Sequence, residues 1–232
     1  AFLEDQSSEA WITVIDRLLD SPQYGERWGR HWLDVAGYAD SEGSSNNDAN
    51  RQWAYKYRDW VIKAIGSDMP FDQFITWQLA GDELVEPPYK NMSASEIEKL
   101  TATGYLRMAS DGTGQGDNEE KRNQVVIDTV KIVSTGLLGM SVGCAQCHDH
   151  RYDPISHEDY YRMRAVFEPA LNPKRWKVPG NRAVSLYTDE DHAKAAEIEA
   201  KAQEMVTARN AKQTEYMDLA LAAELEKIEA SL

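Results

Sequence analysis

The chain of 232 residues is poor in positive charge and has no long apolar run. Lysine and arginine number 25 against 39 acidic residues, which gives a formal net charge of −14. This balance argues against nucleic-acid binding, because phosphates are met by clusters of basic side chains and the sequence has none. No apolar run reaches the ~18 residues that span a bilayer, so we expect no transmembrane segment. The first five residues do not resemble a signal peptide, and we expect the chain to be a mature or excised piece.

Cysteine is equally scarce, since both cysteines lie in the pentapeptide Cys144-Ala-Gln-Cys147-His148. The C-x-x-C-H spacing is the signature of covalent c-type haem attachment. Two thiols three residues apart can each add to one vinyl group, and His148 then donates an imidazole nitrogen to the iron. The motif predicts haem c as cofactor, with thioethers rather than a disulfide. Because such haem is attached after export in bacteria, it also predicts an extracytoplasmic protein, periplasmic or secreted.

A structural zinc site is the alternative interpretation of the same residues. Its ligands would be Cys144, Cys147 and two of the three nearby histidines, His148, His150 and His157. The ligand types suit zinc. The spacing does not, because two adjacent ligand positions after Cys147 crowd a tetrahedron.

The apolar periodicity, caps and breakers are nearly all helical and predict an all-α fold, an irregular helical domain around the haem. The predicted helices cover residues 8–19, 22–39, 53–65, 70–79, 93–108, 119 to the cysteine motif, 156–167 and 189–232. Polar, glycine-rich or proline-rich segments at 41–50, 110–118 and 168–187 predict loops.

The last predicted helix looks separate from the core. Apolar residues recur in it at three- and four-residue steps, as in a coiled-coil seam. These residues are Met217, Leu221, Leu225, Ile228 and Leu232. A solvated amphipathic helix lying on the core is the alternative. We therefore divide the chain into a haem-binding domain over 1–187 and a long C-terminal helix over 188–232, and expect the whole to be a fragment of a larger protein.

Two apolar stripes predict a buried haem pocket. The first leads along the long helix into the cysteine motif and consists of Val126, Val130, Val133, Leu137, Met140 and Cys144. The second lies on the helix at 22–39 and consists of Tyr24, Trp28, His31, Val35 and Tyr38. Both have the spacing of a core-facing helix surface. The second stripe predicts a pocket lining that includes Trp28 and Tyr38.

The centre of the second stripe, His31, is the candidate for the sixth position on iron, as distal ligand or as a residue above an open iron. A core histidine without a ligand role is the alternative. His150 lies too close to His148 to reach the opposite haem face, so we predict that it supports His148 or binds a haem propionate. Met140 and Met163 are weaker candidates for a thioether ligand.

Charged residues supply two further predictions. Arginine or lysine must pair with the haem propionates, and the candidates are Arg27, Arg30, Lys56, Arg58 and Arg151. Calcium is a second candidate cofactor, either in the loop 111–118 or at a carboxylate group formed by Asp34, Asp40, Glu42, Asp149 and Asp153. The loop has Arg122 at the twelfth position, where a calcium loop has glutamate, so its bidentate ligand is missing.

Two stretches of the sequence, residues 24–41 and residues 142–156, resemble a known family, and shorter matches lie at 57–62, 69–74 and 78–82. The chain resembles the domain of unknown function of large secreted planctomycete-type proteins, which often lies beside a planctomycete cytochrome c domain. The resemblance covers about residues 1–170. It implies export, a multidomain parent and covalent haem, and its pattern includes His31 and His148. Gly37 departs from it, since the family has arginine there.

Three functional hypotheses follow. In the first, the protein is a c-type cytochrome-like electron carrier with His148 as proximal and His31 as distal ligand, and its partner is a redox protein or a neighbouring cytochrome domain of the same parent. In the second, it is a haem enzyme, peroxidase-like or oxygen-activating, in which His31 acts as acid or base beside an open sixth site. In the third, haem or metal only stabilises an interaction module.

Overall fold

The computed structural model describes Phe2, residues 6–43 and residues 48–231. Over these residues the chain forms eight α-helices and no sheet, so the all-α prediction is confirmed. The helices are α1 Ala10–Leu19, α2 Pro22–Ala36, α3 Ala54–Gly66, α4 Phe71–Ala80, α5 Ala94–Ala102, α6 Glu119–Leu138, α7 His157–Leu171 and α8 Asp189–Ser231. In the predicted loop 41–50, residues 44–47 lie outside the described part, and a single bridge joins Ser41 to Asn50. None of the described helices combines the length and the apolar character needed to cross a membrane.

Local signals in the sequence explain most helix ends. Pro22 opens α2, where a missing N–H costs nothing, and Gly37 closes it with φ 72° in the left-handed region. Ser93 and Ser156 begin α5 and α7 with capping boxes, so these predicted starts are confirmed. Helix α2 therefore ends three residues before the predicted Ala39.

The first core lies between α2, α3, α4 and the 3-10 turn after α5. Its largest buried side chains are Leu33, Tyr57, Trp60, Phe74 and Tyr105. The amide of buried Gln78 accepts hydrogen bonds from Tyr57 Oη at 2.6 Å and Trp32 Nε1 at 2.9 Å. Both donors are thus satisfied inside the core, as buried polar groups require.

A second, smaller core joins α6, α7 and the 3-10 turn Val142–Gln146. It is made of Val130, Val142, Ala145, Ile155 and Tyr160. Ala145, between the two cysteines, is fully buried in it. This small core fixes the position of the cysteine motif on the end of α6.

The chain divides into two compact units, Ala1–Val184 and Ser185–Leu232. The second unit is dominated by the 43-residue α8, whose residues are almost all exposed. The apolar residues of its seam, Met217, Leu221, Leu225 and Ile228, are between 50% and 63% exposed. Leu232, the last residue of that seam, lies outside the described residues.

Candidate functional site

Cys144 lies on the 3-10 turn Val142–Gln146 and Cys147 directly follows it; both cysteines are free and exposed. Two other residues of this turn, Val142 and Ala145, are buried in the second core. Since one face of the turn is held by this packing, the thiols of Cys144 and Cys147 lie on the outer face. A large planar ligand can therefore reach both sulfurs.

The predicted burial of the α6 stripe is correct as far as Leu137, which is half-buried against the first core, and wrong for Met140 and Cys144. Val126, Val130 and Val133 are buried, as predicted. Gly139 then takes φ 63°, and the Met140 N–H donates to the Ser134 carbonyl at 3.0 Å. This glycine-based stop ends the helix and turns the chain outward. Met140 is consequently 41% exposed and Cys144 is exposed, so the prediction that the motif is buried at the end of a core helix is wrong.

His148 is exposed, and its ring has a defined tautomer. Its Nδ1 lies 2.7 Å from the backbone carbonyl oxygen of Asp149. A carbonyl only accepts, so Nδ1 must carry the proton and donate it. The lone pair is then on Nε2, which makes no hydrogen bond within the described residues. Metal-ligating histidines typically have this arrangement, in which a backbone carbonyl fixes the ring and its tautomer.

His150 has the opposite tautomer and a different role. Its Nδ1 accepts a hydrogen bond from the backbone N–H of Asp153 at 2.9 Å, so the proton lies on Nε2, which donates to Ser141 Oγ at 3.0 Å. The side chain is only 7% exposed. Through its two ring nitrogens, His150 links Asp153, which follows the cysteine motif, to Ser141, which precedes the motif. His150 therefore supports the loop that carries His148.

His157 closes the same loop from the first turn of α7. Its Nε2–H donates to the carbonyl of Gln146 at 2.9 Å, and its backbone N–H donates to Asp149 Oδ1 at 2.8 Å. The ring lies edge-on to Tyr161 at 4.9 Å. The sequence predicted His157 only as one of the alternative zinc ligands and did not indicate this contact. The signal available was the Ser156 cap, which fixes His157 as the first helical residue.

The predicted core-facing stripe of α2 is wrong, because it faces outward. Trp28 is 53% and Val35 49% exposed, and His31 is exposed as well. The inner face is instead formed by Gly25, Gly29, Leu33 and Ala36. A β-carbon at Gly25 would lie 2.6 Å from the Ile62 carbonyl oxygen. Glycine is thus required for the close approach of α2 to α3, and this approach turns the aromatic stripe to the outside.

Two of the stripe residues still have defined neighbours. The His31 ring lies 5.4 Å from the Trp28 ring and makes no hydrogen bond within the described residues. Tyr38 is half-buried and its hydroxyl donates to Asp40 Oδ1 at 2.6 Å. Burial, followed by the hydrogen bond to Asp40, raises the pKa of Tyr38 to about 12.

The outward face of α2 adjoins the last turns of α6. A β-carbon on Gly136 would meet Val35 Cγ1 at 3.2 Å, and Val35 lies one turn after His31. Beyond Gly136, α6 exposes Leu138 and the chain then exposes Met140. We call Trp28, Val35, Leu138 and Met140 the outer apolar surface. It places exposed apolar side chains on α2, which carries His31, and at the end of α6, from which the chain leads to His148.

The basic residues predicted to pair with the haem propionates differ in the partners that they already have. Arg151 is exposed, lies 5.5 Å from the Tyr152 ring and forms no ion pair within the described residues. Arg58 pairs with Asp59 at 2.8 Å. Lys56 lies 5.4 Å from the Tyr55 ring. Arg151 is therefore the cation nearest to His148 in sequence that has no carboxylate partner.

The residues named for zinc and calcium are not gathered. Across the described ranges no three His, Cys, Asp or Glu side chains form a group that could hold a metal ion. Glu42 pairs with Arg51 at 2.9 Å, and Asp149 accepts from His157. In the loop 111–118, Asp111 is 5% exposed and accepts from Arg182 at 2.6 Å. These carboxylates are used by donors of the protein itself, and calcium stays a prediction without support.

A family model described as PSCyt2, a protein of unknown function (DUF1549), matches residues 1–171. The matched range covers more than half of the chain and contains both His31 and the C-x-x-C-H turn. No curated protein and no solved structure matches the chain significantly.

Proposed function

The chain belongs to the PSCyt2 family of unknown function, and from this premise we propose that it is an exported c-type haem protein that transfers electrons. Cys144 and Cys147 hold the haem through thioether bonds, His148 ligates the iron through Nε2, and His31 is the distal ligand. The observation that carries the proposal is the exposed C-x-x-C-H turn in which the His148 tautomer is already the one that ligation requires.

The residues of the site fit a haem in three respects. Both thiols are accessible, which the addition to two vinyl groups requires. The outer apolar surface offers exposed apolar side chains, two of which, Leu138 and Met140, precede the motif closely in sequence, and their burial under an apolar macrocycle would be favourable. Arg151 has no carboxylate partner within the described residues and can pair with a propionate.

Bound haem supplies one-electron exchange at its iron. The chain holds that iron in place: the Asp149 carbonyl orients His148, and His150 and His157 fasten the loop on both sides of it. His31 would supply a second imidazole, and a pair of imidazoles would suit one-electron exchange at the iron.

A haem enzyme is the second candidate, and the state of His31 favours it. This imidazole is exposed and makes no hydrogen bond within the described residues, so it can accept or donate a proton. If His31 stands off the iron, the sixth position is open to a small ligand such as peroxide or oxygen. The two candidates differ only in this one coordination position.

Location and partner are part of the proposal. Covalent attachment at C-x-x-C-H requires export in a bacterium, so we place the protein in the periplasm or outside the cell. Its electrons would pass to a separate redox protein or to a neighbouring cytochrome domain of the same parent. Because Cys144 and Cys147 are exposed, such a partner could approach the attached haem closely.

The test is expression with export and haem-attachment machinery, followed by intact mass and absorption spectra with and without carbon monoxide. We expect the mass of one covalent haem, a low-spin spectrum in both oxidation states and no carbon monoxide binding. His148→Ala should lose the low-spin spectrum and His31→Ala should gain carbon monoxide binding. His192→Ala, which alters an exposed histidine of α8, is the matched control and should change neither.

Each other result has a definite meaning. Carbon monoxide binding by the unaltered protein, with peroxide reactivity that disappears in His31→Ala, would favour the enzyme. Colourless protein with the mass of the bare polypeptide, obtained from a host that matures a control cytochrome, would refute both candidates.

A further inference from the structure

A second group of polar side chains lies at the opposite end of α6 from the cysteine motif. It consists of Arg107 at the end of the 3-10 turn Thr103–Arg107, Asp111 before α6, and Arg182 after the turn Pro179–Asn181. Since α6 has 20 residues and rises 1.5 Å per residue, its two ends are about 30 Å apart. This group is therefore distinct from the proposed haem site.

Arg182 is held in place by Asp111, by Trp176 and by the Lys177 carbonyl, which accepts a hydrogen bond from its Nε. Its Nη1 donates to Asp111 Oδ2 at 2.6 Å, and its guanidinium lies 4.6 Å from the centre of the Trp176 ring. The Trp176 indole is itself fixed, because its Nε1 donates to Thr113 Oγ1 at 2.9 Å. The Arg182 side chain is 18% exposed, so one edge of the group remains open to solvent.

Two donors of this group have no acceptor. Arg107 Nη1 and Arg182 Nη2 are buried and make no hydrogen bond with the described residues. Asp111 does not bond to Arg107, since its Oδ1 accepts from the Thr113 N–H and from Thr113 Oγ1, and its Oδ2 accepts from Arg182. Buried donors are nearly always bonded, and an unbonded guanidinium nitrogen costs more than a neutral one.

The charges of the group do not balance either. Among the buried groups, two guanidiniums accompany one carboxylate, since Asp82 and Asp117, the other carboxylates that act on them, are exposed. Burial, followed by repulsion from Arg182, lowers the pKa of Arg107 to about 10. In a chain with a formal net charge of −14, this local excess of positive charge is not explained by the overall composition.

We propose that Arg107 and Arg182 form a binding site for a small oxoanion, a carboxylate, sulfate or phosphate group. Such a ligand accepts hydrogen bonds from both unbonded nitrogens and supplies the missing negative charge. Planar guanidinium groups suit the oxygens of these anions, and Arg182 is already fixed by Trp176 and Asp111. The site is independent of haem.

The test is thermal unfolding of the full chain in sodium chloride, acetate, phosphate and sulfate at equal ionic strength, with binding to phosphate measured by calorimetry. At ten times the dissociation constant we expect one oxoanion to raise Tm by about 3 to 5 °C above its value in chloride. A response to acetate alone identifies a carboxylate ligand, and a response to phosphate or sulfate a tetrahedral one. Either supports the site.

Arg107→Met separates a binding residue from a structural one. It keeps the bulk of the side chain but removes the unbonded charge. We expect it to abolish the oxoanion effect while Tm in chloride stays the same or rises, because no intramolecular bond of Nη1 is lost. Arg162→Met, on the exposed surface of α7, is the control for general salt effects and should keep the full oxoanion response.

Two outcomes overturn the inference. One is an equal oxoanion response in the unaltered protein and in Arg107→Met, including no response in either. The other is a fall of Tm in chloride in Arg107→Met together with an unchanged affinity for phosphate, which would assign Arg107 to the fold alone.

Discussion

The two ends of α6 use polar side chains in opposite ways. Before its first turn, Asp111, Thr113, Trp176 and Arg182 bond mainly to one another. After its last turn, the thiols of the cysteine motif and the His148 ring lie exposed, and the ring is held by a backbone carbonyl. Internal bonds of the first kind stabilise the fold. Exposed groups of the second kind contribute little to it and are free to bind a cofactor.

The comparison is tested most strongly at Asp111. Asp111→Asn removes the carboxylate that balances Arg182 and leaves two buried guanidinium groups without a counter-charge. Breaking a buried pair on one side costs about 3 to 5 kcal/mol, and we expect a loss of unfolding free energy of that size in urea titrations.

The matching change at the other end is the double variant Cys144→Ser, Cys147→Ser. Both thiols are exposed, so the haem-free variant should unfold within about 0.5 kcal/mol of the unaltered haem-free chain, while covalent haem is lost completely. If the double cysteine variant lost as much unfolding free energy as Asp111→Asn, the two ends of α6 would not differ in their contribution to stability.

A second effect concerns Tyr105, which is 1% exposed and contacts the end of α6 that leads to the motif. Burial raises its pKa to about 12 from an ordinary value of 10. The unfolded chain loses this proton first, so stability is fully present below about pH 10 and falls as pH rises towards 12.

Tyr105→Phe should remove part of this alkaline loss, about 2 kcal/mol between pH 10 and 12. Urea titrations at three values of pH measure it, with the exposed Tyr187→Phe as control. If the two variants lose stability with the same slope, the titration of Tyr105 does not contribute.

Much of the helical pattern is predictable from short-range chemistry. The Ser93 and Ser156 caps and Pro22 act through contacts within a few residues, and the buried valines of α6 follow the helical period. Each is found where the sequence indicates. The prediction of which face of α2 is buried is wrong. Its stripe of Tyr24, Trp28 and Val35 has the right spacing, but periodicity does not say which of two faces packs.

The packing of α2 depends on small residues, which carry little weight in an apolar pattern. Gly25 and Gly29 allow the α2 backbone to approach Ile62 of α3, and no larger side chain could occupy Gly25. Similarly, the turn at Gly139 exposes a motif that the stripe of α6 places in the core. The role of His157 needs the distance between α7 and Gln146, which no local pattern gives.

The contact between α2 and the end of α6 is tested by Gly136→Ala. The added β-carbon would lie 2.9 Å from the Tyr105 hydroxyl oxygen and 3.2 Å from Val35 Cγ1, so these side chains, or the elements that carry them, must shift. We expect a loss of about 1 kcal/mol from overpacking. The proposed haem site should also change, because His31 moves relative to the cysteine motif, and low-spin haem should decrease.

Gly143→Ala is the control, since its β-carbon would meet nothing closer than Lys131 at 3.9 Å. An unchanged spectrum in Gly136→Ala, together with the expected loss of stability, would separate α2 from the iron and leave His31 without a ligand role.

The smallest expected effect is local and concerns the loop of the motif. His157→Ala removes the hydrogen bond from the imidazole to the Gln146 carbonyl but keeps the backbone N–H bond to Asp149. One such bond contributes about 1 kcal/mol or less, so global stability should change little. Hydrogen exchange at residues 144–148 should become about fivefold faster, because this bond holds the loop and not the core. His192→Ala should leave that exchange unchanged. If His157→Ala instead lowers the stability of α6 and the motif equally, the loop is part of the cooperative core, and the two ends of α6 differ less than the hydrogen bonds indicate.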